Sequence, residues 1–94
     1  MTPPMAIPRH AERIAARVID GKALIVVLDG KELHTLNEVG TRVWELCDGR
    51  TSISAIANAL ATEYDVSTGA ALDDVQRFVA ELREKGALAP EATP

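Results

Sequence analysis

The 94 residues predict an α+β fold in which a three-stranded antiparallel meander precedes a three-helix bundle, in the order β-β-β-α-α-α. Three observations carry this. Ala23-Leu24-Ile25-Val26-Val27-Leu28 is a short, β-branched apolar run with an Asp-Gly pair on each side, Asp20-Gly21 and Asp29-Gly30. Three apolar patterns of helical spacing then follow between Leu36 and Leu88. Each of these has its own capping residue or stop signal.

Asp-Gly pairs permit the positive φ angles of tight hairpin turns. Ile14 to Ile19 is therefore the strand before the central run, and Lys31 to Leu36 the strand after it. The unbroken apolar centre of the middle strand predicts cover on both its faces. Asn37 stands where a helix N-cap is needed, its side-chain oxygen placed to accept from a free N–H of the first turn. Val39, Val43, Trp44 and Cys47 follow at spacings that put them on one helical face, and Asp48-Gly49 ends the helix. Thr51 or Ser52 caps the second helix, whose buried stripe is Ile53, Ile56, Ala57 and Leu60 and which stops at Tyr64-Asp65-Val66. Ser67 caps the third and longest, which carries Leu72, Val75, Phe78, Val79 and Leu82. Gly86 stops it, and Leu88 is placed to fold back on its end. The arrangement is winged helix-turn-helix-like.

One domain is expected over residues 13–88, with a loose arm over 1–12 and a frayed tail over 89–94. A chain of this length buries roughly 60–65% of its unfolded surface, enough for one modest core. With one Trp, one Tyr and one Phe, that core must be aliphatic. No apolar run approaches the roughly 20 residues that span a bilayer. No secretory apolar region precedes a cleavage site, so a cytoplasmic protein without membrane contact is expected.

The net charge of −4 and pI near 5.0 argue against a partner held through backbone phosphates. A winged-helix regulator would send its third helix into the major groove. Here that helix bears Asp73, Asp74, Glu81 and Glu84 against Arg77, Arg83 and Lys85, so no nucleic-acid partner is expected. The one locally basic stretch is Arg9, Arg13, Arg17 and Lys22 against Glu12 and Asp20. It suits either an acidic partner or a solvated strand face.

Candidate chemistry is sparse. Cys47, the single cysteine, excludes an intramolecular disulfide and lies on an apolar stripe, where a buried, inert thiol is expected. His10 falls in the arm, and His34 has no Cys, Asp or second His at ligand spacing, so no metal site is expected. Asp73 and Asp74 point about 100° apart on a helix and read as a solvated face. No glycine-rich phosphate loop is present. The residues assemble neither a catalytic set nor a cofactor site.

The segment from Leu36 to Leu88 resembles the PqqD family, small proteins of pyrroloquinoline quinone biosynthesis and related peptide-modification pathways. The matching elements are Leu36-Asn37-Glu38-Val39-Gly40, Trp44-Glu45-Leu46, Asp48-Gly49, the Ile53/Ile56/Leu60 pattern and Tyr64-Asp65-Val66. They continue through Asp74-Val75, Phe78, Leu82 and Gly86-Ala87-Leu88. The resemblance implies a RiPP recognition element: a peptide-binding chaperone, not an enzyme. It would capture the leader of a ribosomally made precursor peptide and present it to a modifying enzyme, often a radical S-adenosylmethionine protein. The leader would add a strand to the third β-strand, Lys31-Glu32-Leu33-His34-Thr35, beside Val75, Phe78, Val79 and Leu82 of the third helix. A meander has an open edge that a peptide extends by backbone hydrogen bonds, which makes the expectation physically sound. Which strand parity faces the groove stays open, as do homodimerisation through that edge and a role as a structural subunit docked on a larger enzyme.

Overall fold

The computed structural model describes residues 3–90. β1 (Ile14–Ile19), β2 (Lys22–Val27) and β3 (Glu32–Thr35) form one antiparallel sheet in the order β1-β2-β3. They are followed by α1 (Glu38–Leu46), α2 (Ile53–Tyr64) and α3 (Thr68–Glu84). The predicted α+β architecture and its element order are those observed.

The first hairpin is as expected: Asp20 and Gly21 both take positive φ, 52° and 77°, in a two-residue turn. The second differs. β2 ends at Val27 and β3 begins at Glu32, and the left-handed residue of that loop is Lys31, at φ 53°. Lys31 therefore belongs to the turn and not to the third strand. A four-residue connection places its left-handed bend late, where the Asp-Gly pair does not sit.

Helix capping follows the predicted chemistry. Asn37 Oδ1 accepts from Gly40 N–H, Ser52 Oγ from Ala55 N–H and Ser67 Oγ from Ala70 N–H. Of the two candidates at the second helix, Ser52 is the cap. α1 stops at Leu46, before Asp48-Gly49. Asp48 instead accepts from the N–H groups of Arg50 and Thr51, and the Arg50 bond leads in holding its carboxyl below the usual range. Asp65 ends α2 in the left-handed region, and Gly86 turns the chain after α3 so that Leu88 N–H reaches Leu82 O.

The core lies between the helix-facing side of the sheet and the helices. Ala23 and Ile25 supply the sheet's share, and Val43, Trp44, Ile53, Ile56, Leu60, Val75, Val79 and Leu82 the helices'. Thr41 joins the layers, its hydroxyl accepting from Ala23 N–H at 2.7 Å and lying 3.5 Å from Leu36 O. A buried hydroxyl with both neighbours satisfied fastens α1 to the end of the β2–β3 ladder.

The expectation of a loose N-terminal arm is corrected over residues 3–12. The carbonyls of Ala6 and Pro4 accept from Ile53 and Ser54 N–H, each at 2.9 Å. Those are first-turn donors of α2 that have no partner inside the helix. Proline carries a carbonyl but no N–H, so a proline-rich strap accepts without leaving donors of its own unsatisfied. Further along, Pro8 O accepts from Gly49 N–H, and the ring of His10 stacks on Trp44 at 3.6 Å with Nε2 donating to Trp44 O. Ala89 is held in turn, its N–H donating to Arg9 O. The rest of the expected tail, residues 91–94, lies outside the described residues, as do residues 1–2. No helix among the described residues is long and apolar enough to cross a membrane.

Candidate functional site

β3 pairs with β2 alone, so one side of its backbone is an open sheet edge. The register and one bond settle which groups face that edge. Leu36 N–H donates to Ala23 O, and Ile25 and Val27 lie opposite His34 and Glu32. In an antiparallel pair each residue turns both backbone groups to the same neighbour, and the next residue turns both away. Glu32, His34 and Leu36 therefore bond to β2, while Leu33 and Thr35 offer N–H and C=O groups to the open edge. Side-chain parity follows the same register. Glu32 and His34 share the helix-facing side with the buried Ile25, and Leu33 and Thr35 lie on the outer side, where Leu33 is 63% exposed.

At the far end of this edge, where the chain turns from β3 into α1, opens an apolar cleft of about 330 Å³. Val39, Val43, Leu60, Tyr64 and Phe78 wall it, and Asp74, Arg77 and Glu81 stand on its rim. Gly40 brings α1 close to α3: a Cβ there would lie 3.0 Å from Phe78 Cζ and 3.1 Å from Asn37 Oδ1. Three of the exposed large apolar residues, Val39, Tyr64 and Val66, gather at this one place. On the helix-facing side of β3, His34 Nε2 is buried and lies 3.3 Å from Glu32 Oε2, without the geometry of a hydrogen bond. It has no hydrogen-bond partner among the described residues.

The structure separates the helix residues singled out from the sequence. Val75, Val79 and Leu82 are buried at 0%, 0% and 1% exposure and belong to the core, Val75 forming part of the cleft's floor. Phe78 alone of the four is partly exposed, and it walls the cleft above Val75. Val39 is corrected in the opposite sense: expected on the buried stripe of α1, it is 44% exposed at the cleft, and Gly40 and Thr41 are buried in its place. Sequence reasoning missed Val39, Tyr64 and Val66 as a group. For Tyr64 and Val66 the one signal was an apolar pair straddling the end of α2, and Val39 carried none.

The residues weighed for chemistry fall as follows. Among the described residues no three His, Cys, Asp or Glu side chains are grouped so as to hold a metal ion. Arg77 on α3 pairs with Asp74 at 2.6 Å, which leaves the acidic groups of that helix to dominate its exposed surface. Cys47 is wholly buried, and desolvation pushes its thiol up to about 12 from an ordinary value of 9.0. Below pH 9 the folded and unfolded chains both keep that proton. Between these two values only the unfolded chain ionises, so stability should fall as pH rises, by up to roughly 1.4 kcal/mol per pH unit. Cys47→Ala should remove that contribution, seen as a flatter profile of urea midpoint against pH above 9.

The sheet has two edge strands, β1 and β3, and it is β3 that leads directly into the apolar cleft. A small sheet with an open edge beside such a cleft is the build of a recognition domain that extends its sheet with a strand from outside. The chain belongs to the PqqD family: the family model for coenzyme PQQ synthesis protein D matches residues 23–88. A relative from Rhodopseudomonas palustris (strain BisB5), named PqqA binding protein, is 32% identical over 91 residues, covering 95% of this chain and 86% of the relative. Among solved structures, TbiB1 in complex with the TbiA(beta) leader peptide superposes with a TM-score of 0.83 at 24% identity, over 90% of this chain and 99% of that one. The PqqD truncation of Methylobacterium extorquens PqqCD, a stand-alone RiPP recognition element solved by NMR, superposes at 0.72 and 24% identity, over 93% and 98%. At that identity the likeness establishes the fold.

Proposed function

We propose that this chain is a leader-binding recognition element. It takes up the leader of a ribosomally made precursor peptide as a fourth strand on β3 and presents it to a peptide-modifying enzyme of the radical S-adenosylmethionine class. The observation that carries this reading is the open edge of β3, where Leu33 and Thr35 turn their backbone groups outward next to an apolar cleft. Backbone bonds to those two residues supply affinity without regard to sequence, and side-chain contacts supply selectivity. Glu32 and His34 flank the leader from the helix side, Glu32 as the more exposed of the two. Phe78, Val39 and Tyr64 receive an apolar leader side chain in the cleft. The name carried by the relatives supports PqqA as the first peptide to test. The chain acts as a binder, not a catalyst, and meets its precursor in the cytoplasm, where ribosomal products arise. A second copy competes for the same edge, so the peptide must be titrated at low chain concentration.

The test is a titration of the ¹⁵N-labelled chain with PqqA peptide from Rhodopseudomonas palustris. Amides of residues 32–36 and of the cleft at 39, 40, 77 and 78 should shift, with those of α2's outer surface unmoved. Shifts confined to other regions, or none at millimolar peptide, would reject the reading. Gly40→Ala offers a finer check. Its added methyl displaces the Phe78 ring into the cleft, while alanine favours the helix by up to about 1 kcal/mol. The urea midpoint should move little, and peptide affinity should fall severalfold.

A further inference from the structure

The side of the sheet turned away from the helices is uncovered. Its rows are Ala15–Val26–Leu33 and Arg17–Leu24–Thr35, with Ile19 beside Lys22 at one end. Ile19 and Leu33 are 47% and 63% exposed, and Leu24 and Val26 are half-buried. Its charged residues are both cations, Arg17 and Lys22, and neither pairs with a carboxylate among the described residues. This is notable on a chain of net charge −4. The basic stretch of the sequence thus resolves into a cationic border on an apolar sheet face.

Two arguments decide what covers it. A second copy of the same face would set Arg17 and Lys22 against their equivalents, and like charges facing each other oppose association. Three strands about 4.8 Å apart, two of six residues and one of four, give roughly 250 Å² of sheet, well short of the about 800 Å² per partner of a stable interface. The fitting occupant is a weakly held, apolar surface bordered by Asp and Glu.

We infer that this face docks such an acidic, apolar surface on the modifying enzyme, an inference that rests on the leader-binding reading. A leader strand added to β3 extends the same sheet, and every second leader side chain falls on the outer side beside Leu33 and Thr35. The enzyme then rests on a surface built partly from the domain and partly from the leader, about a third wider than the empty one. Loaded and empty domains are told apart by contact area alone.

The experiment uses the full chain, PqqA peptide and the radical S-adenosylmethionine enzyme that modifies that peptide, all from one organism. On adding the enzyme, the amides of Arg17, Ile19, Leu24 and Val26 should broaden selectively, and saturating peptide should tighten enzyme binding about fivefold or more. Arg17→Glu and Lys22→Glu, both exposed and remote from the cleft, should weaken enzyme binding tenfold and leave peptide affinity within twofold. Broadening centred on the helices, unchanged enzyme affinity in both charge reversals, or no enzyme binding would overturn the inference. Selective broadening of the sheet face with no peptide binding would leave the docking surface standing and remove the leader reading instead.

Discussion

Leu33→Pro is expected to lower affinity for PqqA peptide about tenfold or more while the domain stays folded, and His34→Pro, one residue on, to weaken the fold itself. The two residues have opposite backbone duties. Leu33 turns its N–H toward the open edge, and His34 turns its own toward Ile25 of β2. Proline lacks that N–H, so at 33 it removes a donor that an incoming strand needs, and its ring crowds the approach. Each edge bond is worth a net of about 0.5–1.5 kcal/mol, and edge positions are where sheets tolerate proline. At 34 the same ring breaks a ladder bond and leaves a buried carbonyl without its donor, at about 1–3 kcal/mol. Leu33→Ala keeps the N–H and should bind within a fewfold of the parent. Anisotropy of a labelled peptide measures the first effect and urea denaturation the second. Equal loss of binding in Leu33→Ala and Leu33→Pro would show that the side chain, not the backbone edge, carries recognition.

Trp44→Ala should give the largest loss of stability, about 3–5 kcal/mol. A domain of this length holds roughly 5–14 kcal/mol in all, so much of the population should be unfolded at modest urea. Trp44 is 3% exposed, and its ring joins the core to the stacked His10 of the arm, while its carbonyl accepts from His10 Nε2. Removing it empties a large volume and detaches the strap whose carbonyls serve the first turn of α2. Circular dichroism must report the transition, since Trp44 is the chain's single tryptophan. His10→Ala should reproduce the smaller share that belongs to the strap. A full-sized loss in Trp44→Ala with none in His10→Ala would mean that the arm adds nothing to stability.

Much of the fold could be read residue by residue because its signals are local. Asp20-Gly21 makes a two-residue turn wherever antiparallel strands flank it, and Asn37, Ser52 and Ser67 cap because their side chains satisfy donors three residues away. The same locality explains the misreadings. Lys31 takes the left-handed position because of the length of the loop from Leu28, and beyond Leu46 the backbone of Asp48 leaves the helix to pair, strand-like, with that of Arg9, a residue far away in sequence. The prolines of the arm read as loose because nothing nearby in sequence shows that α2's first donors lie waiting for their carbonyls.

The candidate site divides in the same way. From the sequence alone came the open-edged meander, the strand at 31–35 as its edge, one residue longer than β3 proved to be, and Phe78 as an apolar residue of the last helix. Helical spacing lists which residues share a face, but it does not say whether that face meets a neighbour or ends at solvent. Only packing decided that Val75, Val79 and Leu82 fill the core while Val39, Tyr64 and Val66 line a cleft. Only the strand register decided that Leu33 and Thr35 present their backbone to the edge. Both are relations between residues distant in the chain, and such relations exist only once the elements have been brought together.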